Sequence, residues 1–138
     1  MAAKSEGMEK WYRSPGYVYF VGVGERPDAI KIGISTQGFI KRRLGSLQCG
    51  NHEPLALLGV IPVDAGERPM AEAERIEREL HATFAGLQRF RKGWAGSEWF
   101  TASPEILAVI SERAVSPASR GLPRRVTRPG PGRPWDGE

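Results

Sequence analysis

The sequence predicts a small fold of the α/β (α+β) class, with helices that flank a three-stranded antiparallel sheet in the order ββαβα(β)α. Two β-branched and aromatic runs, Tyr17–Val23 and Ala29–Ile34, are separated by only five residues, a spacing that favours an antiparallel hairpin. A third apolar run, Leu55–Val63, follows them. The stretches after the second and third runs repeat their apolar residues at helical spacing, which completes the pattern.

The three predicted strands differ in the faces that they bury. Tyr17–Val23 has aromatic and apolar residues at both sets of alternating positions, which suits a strand buried on at least one face. In Ala29–Ile34 the isoleucines share one face, and Lys31 and Gly33 are left on the other. Leu55–Val63 is almost entirely apolar, which predicts the central strand of the sheet.

A basic helix is predicted over about Gly38–Gln48, with Ser35 or Thr36 as its N-cap. Successive residues of an α-helix are rotated by about 100° around its axis. The apolar stripe of this helix therefore turns Arg43 toward the rim of the core and Arg42 toward solvent.

Two further helices follow the third apolar run. The first covers about Met70–Phe84, and Glu77 is its acidic residue nearest the apolar stripe. A short extended piece precedes the second, which begins with Ser103 as N-cap and Pro104 in the first turn. This last helix is expected to end near Arg113.

Length and composition predict one domain, which we assign to residues 15–113. The polar residues 1–14 and the Pro/Arg/Gly-rich basic tail, residues 114–138, are expected to be disordered. The tail has five arginines and two carboxylates, so it carries +3 of the net charge of +4, and the domain is not a strongly basic platform. No run resembles a membrane span or a signal peptide, which predicts a cytoplasmic location and no membrane partner.

The single cysteine excludes an internal disulfide. Cys49 and His52 have a metal-like spacing, but the only other histidine is His81. Because a structural zinc site usually needs four nitrogen or sulfur ligands, a half-buried thiol in a turn is the preferred interpretation of Cys49.

The hairpin and the basic helix bring together groups that suit base chemistry. Tyrosine acts as a base only where its phenolate is favoured, and nearby cations such as Lys31 and Arg43 favour it. Lys31 is expected diagonally across the hairpin from Tyr19, and Gly33 leaves space for a substrate on the same face. The simpler alternative is that Tyr17 and Tyr19 are ordinary strand aromatics.

Glu77 is the second candidate element of a site. A carboxylate close to the core face is costly unless it is paired, and Arg43 or a divalent metal ion could pair with it. A purely structural ion pair between Arg43 and Glu77 is an equal alternative. His81, one helical turn later, either orients Glu77 or is a packed histidine.

Several short motifs, in their order along the chain, resemble those of a known family. They are similar to the motifs of the GIY-YIG nuclease superfamily, and the longer sequence around them is similar to its phage-encoded and meiotically up-regulated branch. The resemblance covers Tyr17–Ile110 and rests on Tyr17-Val18-Tyr19, KIGIST from Lys31, RLGSLQCGNHEPL from Arg43, ERELHATF from Glu77, and GSEWF ending at Phe100.

The resemblance implies a GIY-YIG-like fold and a metal-dependent endonuclease that hydrolyses DNA phosphodiester bonds. It assigns Tyr19 as general base, Arg43 as phosphate clamp and Glu77 as ligand of one Mg²⁺ or Mn²⁺ ion. Lys31 is the remaining catalytic candidate. The expected partner is duplex or branched DNA, without a small-molecule cofactor, and the oligomeric state is left open. The expected substrate-binding residues are Tyr17, Gly33, Ser35, Arg42 and His81.

The resemblance departs from the superfamily pattern at three places. Lys31 stands at the second motif tyrosine, and Tyr17 stands where the first motif has glycine. The terminal asparagine of many members has no clear match, and Glu98-Trp99-Phe100 occupies that region. Lys31 could lower the proton affinity of Tyr19, contact phosphate, or mark a site that binds without cutting. The alternatives to an endonuclease are therefore a catalytically inactive nucleic-acid-binding module and a non-enzymatic interaction domain on the same fold.

Overall fold

The computed structural model describes residues 2–24, 27–89 and 99–126, with backbone alone for residues 2–5. Within these residues, no helix is both long and apolar enough to cross a bilayer. The helices and strands, in chain order, are α1 (Ala2–Arg13), β1 (Gly16–Val23), β2 (Ala29–Thr36), α2 (Ile40–Cys49), β3 (Leu55–Val63), α3 (Pro69–Thr83), β4 (Trp99–Thr101) and α4 (Pro104–Arg113).

The sheet confirms the predicted class and differs from the prediction in its strands. Its order is β3-β1-β2-β4, with antiparallel neighbours throughout. The expected three strands become four, because Trp99–Thr101 pairs with the start of β2. The expectation that Leu55–Val63 is central is wrong: β1 is central, since it pairs with the hairpin partner on one side and with β3 on the other.

Each face of the sheet has its own hydrophobic core. One face carries Val18, Phe20 and the isoleucines of β2, which pack against α3 and against Ile106 of α4. The opposite face carries Tyr17 and Tyr19, which pack with α2 and with apolar side chains of β3. Because β1 is buried on both faces, its alternating positions belong to two separate cores.

The prediction of disorder for residues 114–138 is wrong for the part that the structure describes, and residues 127–138 lie outside it. Val115 exchanges two backbone hydrogen bonds with Val60 of β3, with N···O distances of 3.2 and 2.8 Å. Further along, Val126 donates to the carbonyl of Leu55, at 3.1 Å. Leu122 and Val126 are buried in the core on the Tyr19 face. This C-terminal segment, residues 115–126, therefore covers the outer edge of β3, which explains how an apolar edge strand can be buried.

The N-terminal residues also differ from the expectation of disorder, because Ala2–Arg13 form α1. Its aromatic residues Trp11 and Tyr12 pack against the core beside α3. The Arg68 guanidinium lies 4.4 Å from the centre of the Tyr12 ring and forms an ion pair with Glu9 at 3.4 Å. Aromatic burial therefore stabilises this polar helix, which its own sequence pattern does not favour.

The helix boundaries agree with the predictions to within two residues, but the N-cap of α2 does not. Ser35 and Thr36 belong to β2, and α2 begins after Phe39 without a side-chain cap. The Ser103 hydroxyl does cap α4, accepting a hydrogen bond from the backbone N–H of Ile106 at 3.3 Å. Cys49 ends α2 as an exposed thiol, more exposed than expected.

Replacing Leu122 with alanine should lower the free energy of unfolding by about 2–4 kcal/mol, because the side chain is packed in the core on the Tyr19 face. Leu107→Ala is the matched control: Leu107 is 47% exposed, so its loss should change stability by about 0.5 kcal/mol or less. Urea denaturation measures both. Equal effects of the two substitutions would contradict the packing of the C-terminal segment against the sheet.

Candidate active site

The residues singled out on β1 and β2 share one face of the sheet. Tyr17 lies directly opposite Ser35, and Tyr19 lies directly opposite Gly33. Lys31, two residues before Gly33, points to the same side because side chains alternate along a strand. This face is the one that α2 covers. The hairpin therefore assembles five of the predicted residues without any contribution from the rest of the chain.

Tyr19, Gly33 and Arg43 form the centre of the site. The Tyr19 ring lies over Gly33 so closely that a Cβ at this glycine would be 2.5 Å from the hydroxyl oxygen and 2.6 Å from Cζ. Arg43, on the first turn of α2, donates from Nε to the Tyr19 hydroxyl at 3.4 Å. The phenol is fully buried, whereas Arg43 is exposed. The guanidinium that donates to this buried phenol therefore belongs to a solvent-exposed side chain.

Lys31 is buried next to this centre, with an exposed fraction of only 5%. It lies opposite Val21 on β1 and opposite Trp99 on β4. Since Tyr19 pairs with Gly33, Lys31 is its diagonal cross-strand neighbour, as the sequence predicts. Diagonal neighbours are about 7–8 Å apart at Cα, within reach of a lysine side chain.

An open cleft of about 470 Å³ wraps around the free edge of β2. Among the described residues, β4 pairs only with the first part of β2, so the second part has no strand beyond it. The cleft contains side chains from both faces of the sheet. It is lined by Trp11, Ile34, Ser35, Thr36, Phe39 and Arg43. Arg43, whose guanidinium contacts Tyr19, is therefore one of the side chains that line this open cleft.

Helix α3 packs on the other face of the sheet, against β1 and β2. At its start, Met70 packs so closely on Gly16 that a Cβ there would collide with the methionine sulfur. Near its end, His81 donates from Nε2 to the backbone carbonyl of Ile32 at 2.9 Å. Glu77 lies one turn before His81, about 6 Å along the helix axis. It is half-buried.

The acidic residues of α3 fall into two groups. Glu72 and Glu79 are exposed and form ion pairs with Arg75, at 2.5 and 3.1 Å. The hydrogen bond from Arg75 lowers the pKa of Glu72. Glu74 and Glu77 are half-buried. Of these, Glu77 is one helical turn from His81, which contacts β2.

The remaining predicted substrate-binding residues have local partners. His81 stacks edge-on against Phe100, with ring centres 5.0 Å apart, so its ring packs as well as donating to Ile32. The Ser35 hydroxyl donates to the carbonyl of Thr36 at 2.9 Å. Both arrangements fit a structural role for these side chains.

Arg42 is half-buried, contrary to the expectation that it faces solvent. Its guanidinium lies 5.8 Å from the centre of the Phe39 ring, one turn away on α2. Phe39 is 48% exposed, so the two side chains cover one another at the surface. This mutual coverage is the reason that helical angles alone misassigned Arg42.

One arginine that contacts a predicted site residue was not identified from the sequence. Arg120, in the C-terminal segment, donates from Nε to the Tyr17 hydroxyl at 3.0 Å, and its guanidinium lies 5.4 Å from the centre of the Tyr17 ring. The Tyr17 hydroxyl raises the pKa of Arg120, and Asp64, 3.7 Å away, adds to that effect. The sequence signal for an ordered segment was the presence of apolar residues, such as Leu122 and Val126, within the Pro/Arg/Gly-rich tail.

The candidate metal ligand is the carboxylate of Glu77, which is half-buried. Nowhere in the described ranges do three or more histidine, cysteine, aspartate or glutamate residues come together as a metal cluster. A half-buried carboxylate such as Glu77 is compatible with Mg²⁺ or Mn²⁺ bound mainly through water and phosphate oxygens.

A comparison with protein families decides the relationship. The model of the T5orf172 domain matches residues 16–115. The chain belongs to the T5orf172 domain family. This phage-associated domain is related to nuclease folds of the GIY-YIG and HNH-like kind, so the nuclease-like family expected from the motifs is confirmed. No curated protein and no solved structure matches the chain.

The T5orf172 match includes the whole sheet and the helices that carry Arg43 and Glu77. It ends at Val115, before most of the C-terminal segment and before Arg120. Membership in this family suggests an interaction with nucleic acid. The assignment to a particular nuclease branch and the role of each residue stay predictions.

Proposed function

We propose that this T5orf172 domain is a metal-dependent endonuclease that hydrolyses DNA phosphodiester bonds through a GIY-YIG-type site. The observation that carries the proposal is the hydrogen bond from Arg43 Nε to the Tyr19 hydroxyl, 3.4 Å long, at the rim of an open cleft. A phenol and a guanidinium held together at a cleft provide a proton acceptor and a phosphate-binding group side by side.

Two opposing effects act on the Tyr19 phenol. Burial favours its neutral form, while the guanidinium of Arg43 and the ammonium of Lys31 favour the phenolate. A phenolate next to the cleft can take the proton from an attacking water molecule as the water oxygen bonds to phosphorus and the bond to the leaving oxygen breaks. Lys31 thereby takes a supporting role in place of the second motif tyrosine.

This mechanism requires Arg43 to occupy two positions in turn, one on Tyr19 and one on the phosphate. In the free protein it covers the Tyr19 hydroxyl, and its exposed side chain has space to turn toward a phosphate in the cleft. A bidentate contact to the phosphate stabilises the charge that develops on its oxygens during hydrolysis. Substrate binding would then uncover the phenol for water, which would link base activation to the presence of DNA.

Glu77 would hold the metal ion beside the edge of β2. A bound Mg²⁺ or Mn²⁺ ion supplies Lewis-acid stabilisation of the phosphate and of the leaving oxygen. Glu77 is half-buried, so less of its side-chain freedom remains to be lost when it binds an ion. Because the donor set has so few protein ligands, binding of the ion should be weak until DNA contributes phosphate oxygens.

The test is nicking of a supercoiled plasmid in Mg²⁺ or Mn²⁺ over a range of salt and pH. The wild-type protein should nick, and Arg43→Ala should reduce the rate by about 100-fold. Lys41→Ala is the matched control, because Lys41 is an exposed cation on the same helical turn and should leave the rate within about twofold. Absence of nicking by the wild type above the level of Glu77→Ala would overturn the proposal.

One observation favours a second candidate function, a nucleic-acid-binding module without catalysis. Lys31 is almost fully buried at the position where the superfamily has a tyrosine, so the site face has one hydroxyl fewer. DNA binding by the wild type together with absent nicking in both metals would favour this candidate.

A further inference from the structure

We infer that Arg120 is a second phosphate-binding arginine of this site and contacts the DNA phosphate next to the one held by Arg43. The inference rests on the proposed function and extends the site beyond the T5orf172 match, which ends at residue 115. It also assigns the C-terminal segment a role in DNA binding.

The position of Arg120 supports this role. It donates to Tyr17, and Arg43 donates to Tyr19, so each guanidinium lies on a tyrosine hydroxyl of β1. Tyr17 and Tyr19 are neighbours on one face of the strand, so their Cα atoms are about 7 Å apart. This separation is of the same order as the spacing of successive phosphates along a nucleic-acid strand. The two arginines can therefore contact consecutive phosphates of one backbone.

The chain holds Arg120 firmly in this position. It is the last residue of a short 3₁₀ helix, Pro117–Arg120, whose first residue is buried. Val115 is bonded to β3 before this helix, and Leu122 is buried in the core after it. An arginine whose backbone is fixed loses less conformational entropy when it binds a phosphate than one on a flexible tail.

The guanidinium keeps binding capacity after its internal contacts are counted. Arginine has five N–H donors, of which Nε is directed at Tyr17. The contact to Asp64 is a long ion pair of 3.7 Å between partly exposed side chains, with exposed fractions of 31% and 53%. Such a pair contributes little and is readily exchanged for a phosphate, which offers a doubly hydrogen-bonded partner. Stacking on the Tyr17 ring orients the outer donors without consuming them.

The alternative is that Arg120 only fastens the C-terminal segment to Tyr17. The two roles differ in their dependence on salt. A phosphate contact releases counterions, so its loss lowers the slope of log affinity against log salt concentration by about one. Loss of a structural contact lowers stability and leaves that slope unchanged.

The experiment measures the affinity of a short DNA duplex for the full chain by fluorescence anisotropy in chelator, over a range of NaCl concentrations. Arg120→Ala should raise Kd about tenfold at low salt and reduce the slope by about one. Arg113→Ala is the control of equal charge. Arg113 pairs with Glu79 at 3.5 Å, on α4, against the opposite face of the sheet, and its loss should leave the slope unchanged.

Arg120→Gln separates binding from folding, because glutamine can still donate to Tyr17 but has no charge. Arg120→Gln should reduce the slope of log affinity against log salt concentration by about one, as Arg120→Ala does. If Arg120→Ala does not fold, Arg120→Gln alone tests the inference. Wild-type slopes in both Arg120 variants would overturn the inference, even if the protein nicks plasmid. A protein that binds DNA with the predicted slopes but never nicks would overturn the proposed hydrolysis alone. Absence of DNA binding at low salt would overturn both.

Discussion

Replacing Glu77 with glutamine should reduce metal-dependent nicking by about a thousandfold or more, the effect expected when the Lewis acid of a phosphoryl-transfer site is lost. Glutamine has the size of glutamate, so the half-buried position on α3 stays filled and the fold is retained. DNA affinity in chelator should not fall, because the substitution removes a negative charge from the surroundings of the phosphate. Nicking rate and Kd, measured on the same preparation, separate the loss of catalysis from a loss of binding.

Glu79→Gln is the matched control for this prediction. Glu79 lies two residues further along the same helix, and its carboxylate forms exposed ion pairs with Arg75 and Arg113, at 3.1 and 3.5 Å. Exposed pairs of this kind contribute about 1 kcal/mol or less, so the rate should stay close to that of the wild type. Equal nicking by the two variants would mean that Glu77 holds no catalytic ion. The choice of Glu77 from its position on the helix would then have been misleading.

The contrast between these two carboxylates illustrates what could be predicted from the sequence. Local periodicity placed Glu77 nearer the apolar stripe of α3 than Glu79, and the two differ in burial as expected, although Glu74 is also half-buried. In the same way, the alternation in β1 and β2 predicted that Tyr19 and Lys31 are diagonal neighbours on one face. Such relations depend on a few consecutive residues, so the sequence contains them directly.

The features that were missed depend on contacts between distant parts of the chain. The C-terminal segment has no periodicity, because Pro and Gly interrupt it, and it is ordered by backbone pairing with β3 more than fifty residues earlier. That pairing places Arg120 on Tyr17. No local pattern distinguishes Arg120 from the other arginines of the tail. The incorrect prediction that β3 is the central strand, in place of β1, has the same cause, since strand order is a property of the assembled sheet.

Replacing Gly33 with alanine should lower the free energy of unfolding by about 1–3 kcal/mol or more. The new Cβ would be 2.5 Å from the Tyr19 hydroxyl and 2.6 Å from Cζ, well inside van der Waals contact. Tyr19 is fully buried, so its ring cannot swing away without displacing the core on that face of the sheet. Urea denaturation should show a lower midpoint with an unchanged slope.

Gly38→Ala is the matched control, because a Cβ at Gly38 would meet nothing within 4 Å. Its free energy of unfolding should stay within about 0.5 kcal/mol of the wild type. Adding Tyr19→Phe to Gly33→Ala removes the atom that is closest to the new methyl group, so the double substitution should recover part of the lost stability. Additive losses in this cycle would contradict a direct collision between the two residues.

Gly33→Ala also tests whether nicking requires the absence of a side chain at position 33. A methyl group there would push the Tyr19 hydroxyl away from Arg43, whose hydrogen bond is already long at 3.4 Å. Because catalytic geometry tolerates displacements of well under 1 Å, nicking by the folded Gly33→Ala protein should fall by about 100-fold. A stable Gly33→Ala variant with wild-type nicking would show that proton transfer does not need Tyr19 where the structure holds it.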